Sequence, residues 1–499
     1  MSIPADIPKP IADEYHPHLT KGRSVAAVVG VLWSSLHTLI PTVSSAVVFF
    51  ISAWFLSPAD FGLVGLASSL VLSVIAFSPV AFGEALIQRK TLSKPHTDSV
   101  FWLTTGFGLI CFAPFAIFAG FFSQLVGQED IAAILPILAL KIPLDLSAAV
   151  PNALIIRSMR FKLIALRTAV ATMVSVLICL VMLFAGYGYW ALVSSQVSAS
   201  VVACAMAFWV AGWRPGIAVR WRALRDLLNY GVFASGNRML STIKLDHLVL
   251  GVLGGTFILG LFIFAQRVYN MLTQVIGGAL SSVTLALLST LQDDAKRRAK
   301  AFDIASFVSV AVSLPVFCAL AITAPDLLDL LLDDKWLDAA FAVQMFCIAG
   351  VLAGIGVVQA SLLKSQGKAQ WWFYYQLVQQ GTSVLVIAST YQFGLPVLMV
   401  ALMAKSVLVW PISALMTAKL LERSAWSYLA GFKHPVLATA AMGIGMLAVP
   451  ALLPDLAQSV LIVLQLAAGV IIYVPVVLFL SRERINEVLR ILLAKGKQA

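Results

Sequence analysis

Charged side chains inside an otherwise apolar stretch are the chemically distinctive feature of this 499-residue sequence. Residues 230–255, YGVFASGNRMLSTIKLDHLVLGVLGG, are long and apolar enough to cross a bilayer, yet they contain Arg238, Lys244, Asp246 and His247. Charges at the centre of a bilayer are costly and persist mainly where they face a bundle interior or a water-filled pathway. We therefore expect this segment to line a cavity.

Other apolar stretches carry charges at mid-depth as well. Lys141 lies four residues before Asp145, a spacing at which two side chains share a helix face and can pair. Five basic residues stand against two acidic ones at such depths, which predicts an anionic ligand. The candidate anion site consists of Arg238, Lys244, Arg267, Lys141 and Lys405. A network of ion pairs that only fixes helix packing is the alternative.

The two mid-span acids have a separate candidate role. Asp145 and Asp246 are the positions at which a proton or sodium ion could couple to movement of the ligand, if an ion gradient supplies the energy. Asp246 is also predicted to hold Arg267 while the cavity is empty. An anionic ligand would then replace that acid as the partner of Arg267.

Composition excludes a soluble globular protein. The chain is 60% hydrophobic and 11% charged, with a mean hydropathy of +0.94. Its net charge of +11 arises from basic residues in the segments that connect the apolar runs, and it does not indicate nucleic-acid binding. The five cysteines occur singly in apolar runs, and no metal, nucleotide or catalytic motif is present. We expect no catalytic residue, no metal, no cofactor and no enzyme activity.

Continuous apolar runs predict an all-α polytopic membrane protein with fourteen transmembrane helices, because barrel strands would be short and alternating. The spans are predicted at 26–55, 61–84, 99–125, 130–156, 163–186, 189–212, 228–253, 256–288, 301–325, 337–362, 371–392, 395–419, 434–453 and 457–480.

Basic residues predict the orientation. Twenty-eight of the 34 Lys and Arg residues, with Arg167 counted among them, fall in alternate connecting segments, while the opposite set holds Lys335. Because Lys and Arg accumulate in short cytoplasmic loops, both termini are predicted to be cytoplasmic. The basic tail after the last span has apolar residues at helical spacing and is expected to lie on the inner leaflet.

An internal repeat suggests two lobes. FGLVGLA (61–67) matches LGLFIFA (259–265), NALIIRS (152–158) matches QASLLKS (359–365), and GYWALV (188–193) matches GLPVLM (394–399), at offsets of about 200 residues. An even number of helices separates equivalent positions, so the two lobes share one orientation and are expected to face a central cavity. The predicted organisation is a tail at 1–25, six-helix lobes at 26–225 and 226–425, and a two-helix hairpin with a basic tail at 426–499.

Several strings resemble a known family. LSPADFGLVGLA (56–67), ALIQRK (85–90), VPNALIIRSMRFKLIALR (150–167) and GYGYWALV (186–193) are similar to the polysaccharide-transport branch of the MOP superfamily, the Wzx-like flippases and colanic-acid or succinoglycan exporters. The resemblance implies alternating access and translocation of an undecaprenyl-pyrophosphate-linked oligosaccharide between leaflets of the bacterial inner membrane. It also implies polymerase and chain-length proteins of the same pathway as partners.

Three other classes remain open. A lipid II flippase of the same superfamily would also take an anionic lipid-linked sugar. A MATE-type drug antiporter would bind cations with acidic residues, whereas this membrane interior is net positive. A binding or scaffold protein would have no use for charges at mid-membrane depth.

Overall fold

The computed structural model describes residues 42–89, 92–217, 219–221, 224–227, 242–290, 294–332 and 334–484. These residues are almost entirely helical, and no β-strand occurs within the ranges just given. Eleven helical stretches of this part of the chain are long and apolar enough to cross a membrane, and one of them, Ala369–Leu420, contains two helices. The predicted all-α polytopic fold class is confirmed.

The chain divides into two compact units, residues 1–259 and 260–499. The first unit contains α1 (Thr42–Phe55), α2 (Pro58–Ala76), α3 (Ala81–Gln88), α4 (Lys94–Ile117), α5 (Ala119–Val126), α6 (Ile131–Ala139), α7 (Lys141–Ser147), α8 (Ala149–Arg157), α9 (Phe161–Phe184) and α10 (Trp190–Ala211). Helix α11 (Leu245–Thr290) begins in the first unit and continues into the second. The second unit also contains α12 (Ala295–Leu331), α13 (Asp338–Ser365), α14 (Ala369–Thr390), α15 (Gly394–Leu420), α16 (Ala425–Ala430), α17 (Lys433–Leu452) and α18 (Gln458–Leu480).

Proline breaks the fourth predicted span into three consecutive short helices, α6, α7 and α8. Pro143 and Pro151 have no backbone N–H, so the carbonyls of Ala139 and Ser147, four residues earlier, lose their usual helical partners. Helix α6 ends at the first of these carbonyls and α7 ends at the second. The second predicted span is likewise interrupted, between α2 and α3, at a turn that contains Pro79.

Close packing holds α7 in place. A Cβ atom on Gly108 of α4 would lie 3.0 Å from the Cα of Pro143 and 3.2 Å from Cδ1 of Leu146. The absence of a side chain at Gly108 therefore allows the two helices to approach closely. This contact fixes the helix that carries Lys141 and Asp145.

The seventh predicted span is not one continuous helix. Ile243 and Lys244 are non-helical, and α11 begins at Leu245, so Lys244 directly precedes a helix rather than lying within one. Helix α11 is itself interrupted at Gly255, which lies between the seventh and eighth predicted spans, and its φ of 82° and ψ of 172° are accessible essentially to glycine alone. Residues 228–241, including Arg238, lie outside the described residues.

Each unit has a buried cluster near the helix end that carries the repeated NALIIRS or QASLLKS string. In the first unit, Leu154 of α8 belongs to a cluster with Leu86 and Trp213. In the second, Leu362 of α13 belongs to a cluster with Phe302 and Tyr428. Trp213 follows α10 and Tyr428 follows α15, the two helices at the third repeated string. In both units the segment after that helix therefore packs against the equivalent helix end.

The third repeated string begins at equivalent turns. Gly188 precedes α10 with a φ of 56°, and Gly394 is the first residue of α15, with a φ of 83°. Left-handed backbone is strained for residues with a Cβ, which explains glycine at both positions. The predicted lobe boundary at 225/226 adjoins residues outside the described ranges and stays a prediction.

Candidate functional site

The predicted cations do not all fall in one described cluster. Lys141 lies in the first unit, while Arg267 and Lys405 lie in the second. Arg238 is outside the described residues, and Arg267 has an exposed side chain on α11.

Lys141 is held by an amide of a neighbouring helix. Its Nζ donates a hydrogen bond to Oε1 of Gln196 on α10, at 3.1 Å. The Nε2 of Gln196 in turn donates to Oγ of Ser68 on α2, at 3.2 Å. A half-buried lysine thus joins three helices of the first unit through one glutamine.

Asp145 lies one turn after Lys141 on α7. Its charged and hydrogen-bonding neighbours are Lys141, Ser200 and Arg167. The carboxylate is half-buried and therefore has basic groups on two sides, from α7 and from α9. Burial of a charge is tolerated where such partners offset the lost solvation.

Arg167 is the residue that the sequence interpretation misplaced. We counted it among the basic residues of a cytoplasmic segment, but it lies in the second turn of α9, half-buried inside a predicted span. Its Nη1 donates a hydrogen bond to Oδ1 of Asn152 on α8. Its Nε is buried and has no hydrogen-bond partner among the described residues. The missed signal was its position four residues inside the run predicted at 163–186.

A cavity of about 560 Å³ within the first unit is bordered by Asp145, Asn152 and Arg167. Its polar walls are formed by Glu84, Asp145, Asn152, Arg167, Cys204 and Thr242, and its apolar walls by Leu72, Ile75, Ile87, Ile156 and Ile164 among others. Helices α3, α7, α8, α9 and α10 all contribute. The cavity combines carboxylate acceptors with guanidinium and amide donors inside a bundle of apolar helices.

Lys405 is engaged within the second unit. Its Nζ donates to Oε1 of Gln379 and to Oγ of Ser383, each at 2.8 Å, which links α15 to α14. The Nε2 of Gln379 donates to the hydroxyl of Tyr375 at 2.8 Å. An anion that reached this lysine would have to compete with these neutral acceptors.

The repeat shows where the two units differ. Asn152 borders the cavity of the first unit, and its equivalent in the second is Gln359. Gln359 is fully buried, accepts a hydrogen bond from Ser413 at 2.9 Å and donates one to Tyr428 at 3.4 Å. The equivalent positions thus form a charged cavity in one unit and a closed neutral network in the other.

The start of α11 packs against α2. Ser69 Oγ donates to the carbonyl of Gly65 at 2.7 Å and lies 3.2 Å from Nδ1 of His247. Asp246 lies in the first turn of α11, where a carboxylate is favourable because of the helix dipole.

Comparison with solved structures identifies the fold. A structure of the lipid II flippase MurJ in an inward closed conformation matches with a TM-score of 0.70 and 12% identity, covering 92% of this chain and 100% of that one. An inward-facing multidrug resistance MATE transporter of the MOP superfamily matches with a TM-score of 0.55 and 16% identity, covering 79% and 99%. The chain therefore has the fold of a MOP-superfamily membrane transporter.

Sequence comparison gives the family. The model of the polysaccharide biosynthesis protein family matches residues 51–341, so the chain belongs to that family. It is 22% identical to the succinoglycan biosynthesis transport protein ExoT of Rhizobium meliloti (strain 1021), over 66% of this chain and 67% of the relative. It is 20% identical to the lipopolysaccharide biosynthesis protein WzxC of Escherichia coli (strain K12), over 70% and 72%. The teichuronic acid biosynthesis protein TuaB of Bacillus subtilis (strain 168) matches at 21% identity over 83% and 87%.

Proposed function

We propose that this protein translocates undecaprenyl-pyrophosphate-linked oligosaccharide repeat units from the cytoplasmic to the periplasmic leaflet of a bacterial inner membrane. The observation that carries the proposal is the charged cavity of Asp145, Asn152 and Arg167 inside a helical unit of a polysaccharide biosynthesis family member. Charged groups at such depth are costly and are typical of substrate or ion pathways. The product would feed exopolysaccharide, capsule or O-antigen synthesis, with both termini of the chain cytoplasmic.

The pyrophosphate is assigned to the predicted cations. Arg238 and Arg267 would offer planar forks to phosphate oxygens, and lysines would act as point charges. Lys141 and Lys405 would exchange their present glutamine partners for the ligand. Because an ionised acceptor binds more strongly than a neutral amide, this exchange is favourable.

Asp145 is the stronger of the two candidates for a coupling site. It lines the cavity beside Lys141 and Arg167, so a proton or sodium ion on its carboxylate would change the partners available to both cations. Asp246, in the first turn of α11, remains the second candidate. A transport cycle of alternating access would then load the ion and the substrate from opposite sides.

The proposal is tested in cells from which the coding sequence has been deleted. Surface polysaccharide should disappear, and lipid-linked repeat units should accumulate and be cleared again by the wild-type chain. Asp145→Asn should restore less export than Asp246→Asn at equal protein levels in the membrane. Deletion without loss of polysaccharide, or with accumulation of lipid II instead, would refute the assignment and in the second case favour a lipid II flippase.

The coupling assignment has its own outcome. If the double Asp145→Asn, Asp246→Asn variant supports normal export, neither acid couples an ion. Supply of new substrate on the cytoplasmic side would then drive the cycle.

A further inference from the structure

The cavity of the first unit extends inward from one end of that unit. Glu84 lies one turn before the end of α3, Ile156 at the end of α8 and Ile164 in the first turn of α9. These are the helix ends that carry the basic residues predicted to be cytoplasmic. Asp145 lies twelve residues before Arg157, about 18 Å along a helical path. The cavity therefore joins the predicted cytoplasmic end to the middle of the span.

Its walls suit hydroxyl groups better than a pure anion. A sugar hydroxyl both donates and accepts hydrogen bonds, so it needs both kinds of partner. Arg167 and the amide of Asn152 supply donors, whereas Asp145 and Glu84 supply acceptors. With Lys141 beside Asp145 counted as well, two carboxylates stand against two cations, so the cavity has no excess of positive charge that would attract an acidic ligand.

One donor in this cavity lacks an acceptor in the protein. The Nε of Arg167 is buried and has no hydrogen-bond partner in the described part of the chain, although Nη1 of the same side chain binds Asn152. A buried donor without an acceptor is unfavourable, so an oxygen atom of a ligand at this point would be stabilised. The volume of about 560 Å³ lies within the usual range of small-ligand sites.

The second unit shows that helix packing does not require such a cavity. There, the amide equivalent to Asn152 belongs to Gln359, which is enclosed by Ser413 and Tyr428. The repeated helices therefore pack with a buried neutral network at the equivalent position. This difference argues for a ligand role of the polar groups in the first unit.

We propose that this cavity binds uncharged sugar residues of the lipid-linked oligosaccharide on the cytoplasmic side, with Arg167 and Asn152 as hydroxyl ligands. The assignment rests on the proposed function and adds a specificity site separate from the cations assigned to the pyrophosphate. Acidic sugars are disfavoured there because Glu84 and Asp145 already balance the cations Lys141 and Arg167, so a further carboxylate would be buried with no net positive charge to offset it.

Binding to the purified full-length protein in detergent tests this site. The probe is the free oligosaccharide that mild acid releases from the lipid-linked intermediate of the deletion strain, measured by calorimetric titration. Arg167→Gln should weaken binding at least tenfold, and Arg167→Lys should recover part of it. Ala203→Leu, which keeps every charge but fills part of the cavity, should also weaken binding. Arg423→Gln is the matched control, because Arg423 pairs with Asp303 at 2.6 Å outside the cavity.

A second titration tests the charge preference. Oxidising the primary hydroxyls of the same oligosaccharide to carboxylates should weaken its binding at least tenfold. Equal or tighter binding of the oxidised probe would overturn the assignment to neutral sugars. Wild-type affinity in folded Arg167→Gln and Ala203→Leu proteins would overturn the site itself.

The two proposals fail in different ways. If the deletion strain accumulates no lipid-linked oligosaccharide, the translocation function is wrong before any binding is measured. If the intermediate accumulates but its oligosaccharide binds independently of Arg167 and Ala203, translocation stands and the cavity assignment is wrong.

Discussion

Arg157 should be a strong stabilising contact of the first unit, whereas its repeat equivalent Lys364 should not. The Nη1 of Arg157 lies 2.9 Å from the carbonyl oxygen of Leu86, 3.1 Å from that of Ile87 and 2.5 Å from that of Arg89. These carbonyls form the C-terminal end of α3, where a cation is favourable because of the helix dipole. Lys364 is exposed at the end of α13.

The size of the effect follows from the number of contacts. Each hydrogen bond from a charged donor contributes about 1.5–3 kcal/mol, and one Nη1 has two protons for the three carbonyls. Because Arg157 is part-exposed, we take the lower value, so Arg157→Gln should cost about 3 kcal/mol. For a chain of 499 residues, that lowers Tm by about 3 °C. Lys364→Gln, a surface change, should stay within about 0.5 kcal/mol.

Thermal unfolding in detergent at one fixed heating rate measures both variants. Residual folded protein after heating is read by gel filtration, with wild type in parallel. Equal shifts for Arg157→Gln and Lys364→Gln, or none for Arg157→Gln, would refute the reasoning from the carbonyl contacts.

Three further outcomes can be checked with the same thermal assay. Gly255→Ala should destabilise the protein by about 1–3 kcal/mol because the backbone angles of Gly255 are strained for alanine. Gly381→Ala, within α14 and with open space around it, should be neutral or stabilising. Equal effects of the two substitutions would contradict the argument from the backbone angles. Gln359→Leu should cost about 1–2 kcal/mol, since Tyr428 loses a buried partner, and an unchanged Tm would contradict that network. The hydrogen bond from Arg89, at 3.0 Å, lowers the pKa of Asp226. The ionised carboxylate therefore stabilises the folded protein above its unfolded pKa of about 3.9. This stabilisation is lost as the pH falls through the folded pKa. The Tm difference between wild type and Asp226→Asn should therefore be present near neutral pH and vanish in acid; a difference that persists in acid would exclude this linkage.

Apolar runs predicted the helices well because a span must satisfy its backbone internally and remain apolar over its whole length. The prediction at 395–419, for example, corresponds to α15 at Gly394–Leu420. The repeated strings also identified equivalent turns, at Gly188 and Gly394. The helices and turns depend on residues that are close together in the sequence, so they could be predicted from the sequence alone.

The interruptions of helices were harder to predict. Mean hydropathy over a span does not register a break such as that at Lys244, because the stretch as a whole stays apolar. Pro143 and Pro151 are visible in the sequence, but the division of their span into three helices also depends on packing, including the contact at Gly108.

The sequence indicated only a few of the charged residues that lie in or beside the cavity of the first unit. Depth along a span identified Lys141 and Asp145, but not which neighbours they would have. Arg167 was assigned to a loop because counting charges by segment ignores how far a helix extends. Glu84, Asn152 and Arg167 come together only through the packing of α3, α8 and α9, and sequence spacing carries no information about that.

The most direct test of the central claim is a leaflet assay with the purified protein in liposomes. The lipid-linked oligosaccharide from the deletion strain is incorporated, and a membrane-impermeant periodate reagent oxidises the sugars that face outward. Liposomes with the wild-type protein should expose nearly all of the oligosaccharide over time, while protein-free liposomes should expose only the outer-leaflet fraction. Oxidation that stops at the outer-leaflet fraction in both preparations, with correctly folded protein present, would contradict translocation by this chain.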